Sequence, residues 1–254
     1  DDTVTVVTDP SDLGVADSPP YDNTEPTIPV TYMDVPPTLP NVTLWFSYEG
    51  GPWTDSGLTT TGTTGSYDFF PPGNLEGEYH FGIVSNDGLG SFTPVPTGTG
   101  DTTTIYDLTD PDPGTADVTL DVTNAAFNVT YTGGFDPITD GTPSGLAEVQ
   151  LWYSIDGGPW LNSGLTSPGG SGSFFFDPPG GTNGVYSFAL VGVDNAGNVS
   201  GTPNLPGDDI ITYDTIPPVV TNCPSDFDTP CNTNAGYNLT YTPFSIDATT
   251  TTYE

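Results

Sequence analysis

Leu44–Leu58 reads LWFSYEGGPWTDSGL, and Leu151–Leu165 reads LWYSIDGGPWLNSGL. The two stretches are 107 residues apart, and the match runs on without a gap for about sixty residues. Gly65-Ser66-Tyr67 answers Gly172-Ser173-Phe174, and Pro71-Pro72-Gly73 answers Pro178-Pro179-Gly180. Further on, Tyr79 and Phe81 answer Tyr186 and Phe188, Asp87 answers Asp194, and Tyr106-Asp107 answers Tyr213-Asp214. Self-similarity at a fixed spacing marks a chain built from repeated units. Upstream, Val30-Thr31-Tyr32 resembles Val129-Thr130-Tyr131 at an offset of 99, so the loop after this strand is eight residues longer in the second copy. A third start follows, because NAAFNVTYT from Asn124 returns as NAGYNLTYT from Asn234. Asp2–Val6 resembles Asp101–Ile105, the last strand of a copy. The chain therefore divides into 1–12, a closing strand of a preceding module or a donor strand; 13–108, a first domain; 109–215, a second; and 216–254, part of a third.

Within each copy the hydrophobic period is two, the strand signature. Phe127, Val129 and Tyr131 alternate with Asn128 and Thr130. Val149, Leu151, Tyr153 and Ile155 alternate with Gln150, Trp152 and Ser154. Tyr186, Phe188 and Leu190 alternate with Ser187 and Ala189. No stretch of helical period competes. About seven short strands per copy, separated by turn residues, predict an all-β chain of tandem antiparallel β-sandwiches arranged as beads on a string. Tyr79 and Tyr186 stand at the start of the sixth strand, where a tyrosine corner sits in immunoglobulin-like sandwiches.

Composition narrows the function. The 254 residues include 33 Asp and Glu and no Lys or Arg, a formal charge of −33. A chain with no cationic side chain has no phosphate clamp, no nucleic-acid footprint and no attraction to anionic lipid. A Schiff-base lysine and a Walker lysine are excluded as well. Charge of this size keeps a protein soluble but pushes the compact state apart. High salt, bound divalent cations or thin spreading of charge would offset it, and we expect cations. Aromatic residues at 12% argue against a disordered chain. No apolar run reaches the roughly 18 residues of a spanning helix, so membrane insertion is not expected. The sequence opens on Asp1 rather than Met, which we read as a processed chain or a piece of a longer one. The two cysteines, Cys223 and Cys231, would pair into one small loop in an oxidising compartment.

The pattern YSIDGGPW, GVYSF, VDNAGNVS and YDTIPP resembles the tandem Ig-like and fibronectin-III-like repeats of bacterial and archaeal extracellular proteins, adhesins and stalks. The resemblance covers both full copies, from about residue 13 to 215, and rests mostly on Asp194–Asn198 and on Asp214–Pro218. Copy one carries weaker forms of both, at Asp87–Gly90 and Asp107–Pro111. The third start resembles a hyalin-type repeat, and Cys223 and Cys231 match that module's usual pair. The resemblance implies Ig-like sandwiches at a cell surface; it does not imply one function.

Calcium is the sharpest expectation. The ion takes six to eight oxygens from carboxylates, carbonyls and water, and Asp clusters at the junctions. Asp107, Asp110 and Asp112 lie between copies one and two, where the loops of copy two would bring Asp136, Asp140 and Asp194. Asp208, Asp209 and Asp214 are expected to serve the next junction, with Asp247 facing them; Asp9, Asp12, Asp34 and Asp87 repeat the theme at the start of copy one. The alternative is that Asp simply makes turns through its side-chain hydrogen bonds. Trp45 and Trp152 point opposite to the core residues of their strands and are candidates for exposed contacts with sugars or a neighbouring chain; Trp53 and Trp160 would fold back over their own sheets. Four sequons, at Asn41, Asn128, Asn198 and Asn238, are glycan acceptors in a secreted protein. The single histidine, His80, is expected on the outward face of its strand, and its counterpart is Ser187. Without a second histidine, a nucleophile elbow or a distinguishable carboxylate pair, no enzyme is expected. The strand Thr3, Val4, Thr5, Val6 and Val7 is a candidate for donation to a neighbouring subunit, with 219–254 as acceptor.

These readings predict a structural segment of an extracellular, cell-surface filament or stalk. Its partner is itself, as a head-to-tail polymer or as further modules, with calcium stiffening the junctions. The alternatives are an adhesin module that binds a glycan or host surface, and a non-catalytic spacer of a secreted enzyme.

Overall fold

The computed structural model describes residues 21–22, 27–138, 140–220 and 245–246. The first repeat supplies β1 (Tyr21–Asp22), β2 (Ile28–Tyr32), β3 (Asn41–Tyr48), β4 (Thr54–Thr61), β5 (Gly65–Phe69), β6 (Gly77–Asn86) and β7 (Thr102–Tyr106). The second supplies β8 (Thr115–Asp117), β9 (Val122–Thr123), β10 (Phe127–Thr132), β11 (Leu146–Ile155), β12 (Leu161–Ser167), β13 (Gly172–Phe176), β14 (Gly184–Asp194) and β15 (Asp209–Tyr213). A last pair is β16 (Val219–Val220) with β17 (Ser245–Ile246).

Each repeat is a sandwich. In domain 1 a sheet ordered β1-β7-β6-β3-β4 faces the pair β2-β5; in domain 2 a sheet ordered β12-β11-β14-β15-β9 faces β13-β10-β8. Neighbours pair antiparallel except at two edges, where β1 lies parallel to β7 and β9 parallel to β15. In domain 2 the opening segment is split: β8 pairs with β10 in one sheet and β9 with β15 in the other. This is the immunoglobulin-like, fibronectin-III-like sandwich, twice in tandem. The candidate donor strand Thr3–Val7 and the cysteine pair Cys223 and Cys231 lie outside the described residues.

The alternation read from sequence is the alternation that is buried. Phe127, Val129 and Tyr131, beside Phe174 and Phe176 on the same sheet, face Leu151, Tyr186 and Phe188 across one core, and Ile28, Val30 and Tyr32, beside Phe69, face Tyr79 and Phe81 across the other. Tyr79 Oη donates to Leu75 O at 2.8 Å and Tyr186 Oη to Thr182 O at 2.8 Å, so both tyrosine corners form. The shared SGL motif has a local cause. Gly57 and Gly164 hold positive φ, Ser56 Oγ and Ser163 Oγ donate to the carbonyls of Leu44 and Leu151, and each accepts from the following leucine amide. The serine hydroxyl thus fills a gap in the ladder at the register shifts Thr43/Trp45 and Gln150/Trp152.

One expectation is corrected here. His80 is not a surface residue; it is 5% exposed. The connection from β6 to β7 folds back over the outer face of the sheet, placing Thr99 O 3.2 Å from His80 Nδ1. Trp53 and Trp160 close the same cover. Gly100 and Gly207 lie between these rings and the carbonyls of Phe81 and Phe188, at positive φ and with no room for a Cβ. Ser187 and Ala189 are buried for the same reason, although they point away from the core. Trp45 and Trp152 are half-buried rather than projecting, and Trp152 Nε1 donates to Gln150 Oε1 at 3.4 Å.

Candidate metal centre

Strand β7 ends at Tyr106, and the next residue, Asp107, is 0% exposed. Strand β14 ends at Asp194, which is 2% exposed. The loop between β10 and β11 carries Asp136. One carboxylate oxygen from each of Asp107, Asp136 and Asp194 lies within 4.8 Å of the others. Domain 1 gives one of the three and domain 2 gives two.

The surrounding bonds hold the group in place. Asp107 Oδ2 accepts from the Ser144 amide at 2.9 Å and Oδ1 from the Thr109 amide at 3.1 Å. Asp194 Oδ1 accepts from the amides of Gly197 and Asn198 at 2.6 and 2.8 Å. Asn198 Nδ2 donates both to Asp194 Oδ2 and to the backbone oxygen of Asp107, at 2.8 and 2.9 Å, and so ties the two domains. Asp136 Oδ2 accepts from the Gly145 amide at 2.6 Å and from Ser144 Oγ at 3.1 Å, while its Oδ1 is buried without a partner among the described residues.

The electrostatics are unfavourable without a cation. At 4.8 Å, two full charges in an effective dielectric of about 20 repel by roughly 3 kcal/mol. Burial first, then the charges of Asp107 and Asp194, push Asp136 up to about 6, against the bonds from Gly145 and Ser144. Burial raises Asp194 as well, against its bonds from Asn198 and Gly197 and with the charge of Asp107 adding to the rise. No lysine or arginine exists in the chain to neutralise them. Three carboxylates, one of them with a buried oxygen that no donor among the described residues reaches, make an all-oxygen ligand set that fits a hard divalent ion such as calcium.

Around this centre the long loop of domain 2 seats on domain 1. Glu49 accepts from the Thr142 amide at 2.7 Å and from Thr142 Oγ1 at 2.9 Å, while also accepting from the Glu78 amide in its own domain at 2.8 Å. A Cβ on Gly141 would stand 2.6 Å from Glu49 Oε1, Glu76 O and Tyr48 Oη. Gly141 holds a φ of +72° there, so this close approach takes glycine.

The other expected ligands fall elsewhere. Asp110 and Asp140 are exposed and stand outside the triad. Asp112 is exposed and accepts from the Gly114 amide at 2.9 Å, a turn-making role. Asp208 and Asp209 are not at the junction after domain 2. They open β15, at the opposite end from Asp214, and accept from the amides of Ala116 and Val118 at 3.0 and 2.7 Å, clipping β8 to the sandwich. Asp214 follows β15 as Asp107 follows β7, and its Oδ1 accepts from the Ile216 amide at 2.8 Å. Of the sequons, Asn128 is exposed on β10. Asn41 Nδ2 donates to Asn86, and the Asn198 amide is spent on the junction. Asn238 and Asp247, with Asp9 and Asp12, lie outside the described residues.

Sequence reasoning missed Ser144, Gly145, Thr142 and Glu49, and it read Asn198 as a sequon and as the end of the Asp194–Asn198 turn, not as a tie between domains. One signal was present: Asp107 and Asp194 persist at the repeat offset as Asp214 and Asp87, whereas Asp110 and Asp112 answer Pro217 and Val219.

No protein-family model matches the chain, and no curated protein matches it. Among solved structures it is similar to the crystal structure of the FN1–FN3 domains of chicken CNTN1, at 13% identity and a TM-score of 0.41. The match covers 81% of this chain and 64% of that one, less than two thirds of its length. No helix among the described residues is long and apolar enough to cross a membrane.

Proposed function

We propose that the chain is a structural segment of an extracellular filament or stalk, and that a calcium ion held by Asp107, Asp136 and Asp194 locks its two sandwiches into one stiff unit. One observation carries this reading: three carboxylates from three separate segments and two domains converge within 4.8 Å in a chain without a single lysine or arginine. Two domains joined by a short linker bend freely by default. An ion that needs ligands from both would remove that freedom, and the role of such a chain is to bear and transmit shape rather than to turn over a substrate. Its partners are further modules of its own kind, and the cell surface is its place.

Calcium titration of the chain, followed by heat and by small-angle scattering, tests this. The expected result is one ion per pair of domains and a narrower distribution of shapes once it binds. Asp194→Asn should weaken binding at least tenfold, since it removes one charged ligand of three. Equal scattering with calcium and with chelator would overturn the proposal.

A further inference from the structure

The end of domain 2 that faces away from domain 1 repeats most of the hydrogen-bond pattern of the face that domain 1 offers to the junction. Glu49 holds a φ of +51° and accepts from the Glu78 amide; Asp156, 107 residues on, holds a φ of +51° and accepts from the Val185 amide at 2.9 Å. Glu76 accepts from the Leu108 amide and from Thr109 Oγ1; Asn183 accepts from the amide and Oγ1 of Thr215, both at 2.9 Å. Asp107 accepts from the Thr109 amide and Asp214 from the Ile216 amide. In domain 1 the remaining oxygens of Glu49 and Asp107 receive Thr142 and Ser144 of the next domain. In domain 2 the matching side chain of Asp156 is exposed.

The next module also starts with a strand pair at the matching place. Val219 pairs with Ile246 across β16 and β17, and Asp112, 107 residues before Val219, bridges Phe135. That bridge roots the loop which reaches domain 1.

We propose that the far pole of domain 2, built on Asp156, Asn183 and Asp214, is a second docking face of the same design, and that its occupant is the module opening at Val219. The face presents acceptors, so the occupant meets it with backbone amides and hydroxyls, as Thr142 and Ser144 meet domain 1. The proposal rests on this hydrogen-bond pattern and not on a cation, so it stands or falls apart from the calcium reading.

Hydrogen exchange on the full chain in chelator tests it. Asp156→Asn keeps the bond from the Val185 amide but turns the outward oxygen into a donor. The expected result is roughly tenfold faster exchange after Val219, with β10, β11 and β14 unchanged. Glu49→Gln, its counterpart, should instead speed exchange at 142–145. If residues 219–254 exchange alike in the parent chain and in Asp156→Asn, whether protected or not, the proposal is overturned.

Discussion

At Asp136, burial and the charges of Asp107 and Asp194 favour the protonated acid, and the donors on Gly145 and Ser144 only partly oppose them. The folded chain holds this proton up to about pH 6, whereas an unfolded aspartate releases it near about 3.9. The folded state therefore binds more protons between these values, and stability falls as pH rises through the window. The metal-free chain should melt at a higher temperature at pH 5 than at pH 7, and Asp136→Asn should flatten that difference. Calcium should reverse it, because the ion needs the carboxylate that the proton occupies. Thermal unfolding at both pH values, with calcium and with chelator, checks the signs; a drop in stability from pH 5 to pH 7 in chelator that is no larger in the wild-type chain than in Asp136→Asn would contradict the account. Asp136 was visible in the sequence as an acidic loop residue. Its burial was not, because that depends on a second domain closing over the loop.

The decisive element is the connection from β10 to β11. Between the equivalent residues Tyr131 and Glu148 the chain has 132–147, where domain 1 has only 33–40 between Tyr32 and Asn41. The eight extra residues bring Asp136, Gly141, Thr142 and Ser144 to the junction. Sequence comparison showed the extra length but not its direction, since a loop's path is set by what it touches. Surface loops tolerate length changes well. Replacing 132–147 by the shorter loop should leave domain 2 folded, with a melting temperature within a few degrees, while abolishing calcium binding. Gly141→Ala is the milder version: it places a methyl against Glu49, Glu76 and Tyr48, and should weaken calcium binding several-fold without unfolding either core. Heat of calcium binding beside circular-dichroism melts separates the two effects.

Across the whole molecule, a formal charge of −33 is met by no lysine or arginine. Repulsion between exposed carboxylates is screened over about 10 Å at 0.1 M salt and about 3 Å at 1 M. In chelator the melting temperature should climb between those salt concentrations, and in saturating calcium the climb should be smaller. A flat salt response in chelator would mean that the charge is spread too thinly to matter. At this scale the strand alternation and the 107-residue repeat were enough for the architecture, since each inward position needs only to be apolar. They were not enough for the outer faces: His80, Ser187 and Ala189 alternate as surface residues yet lie under the β6–β7 and β14–β15 connections.

Two sandwiches, their cores, their tyrosine corners and a large negative charge with no lysine or arginine to answer it could all be read along the chain. Those properties follow from local periodicity and composition. Only the tertiary structure decided which aspartates meet. Asp107, Asp136 and Asp194 come from a strand end, a long loop and another strand end of two domains, and convergence over such separations is settled by packing. Asp208 and Asp209, equally acidic and equally near a turn, were drawn to the amides of β8 because that edge lies beside them.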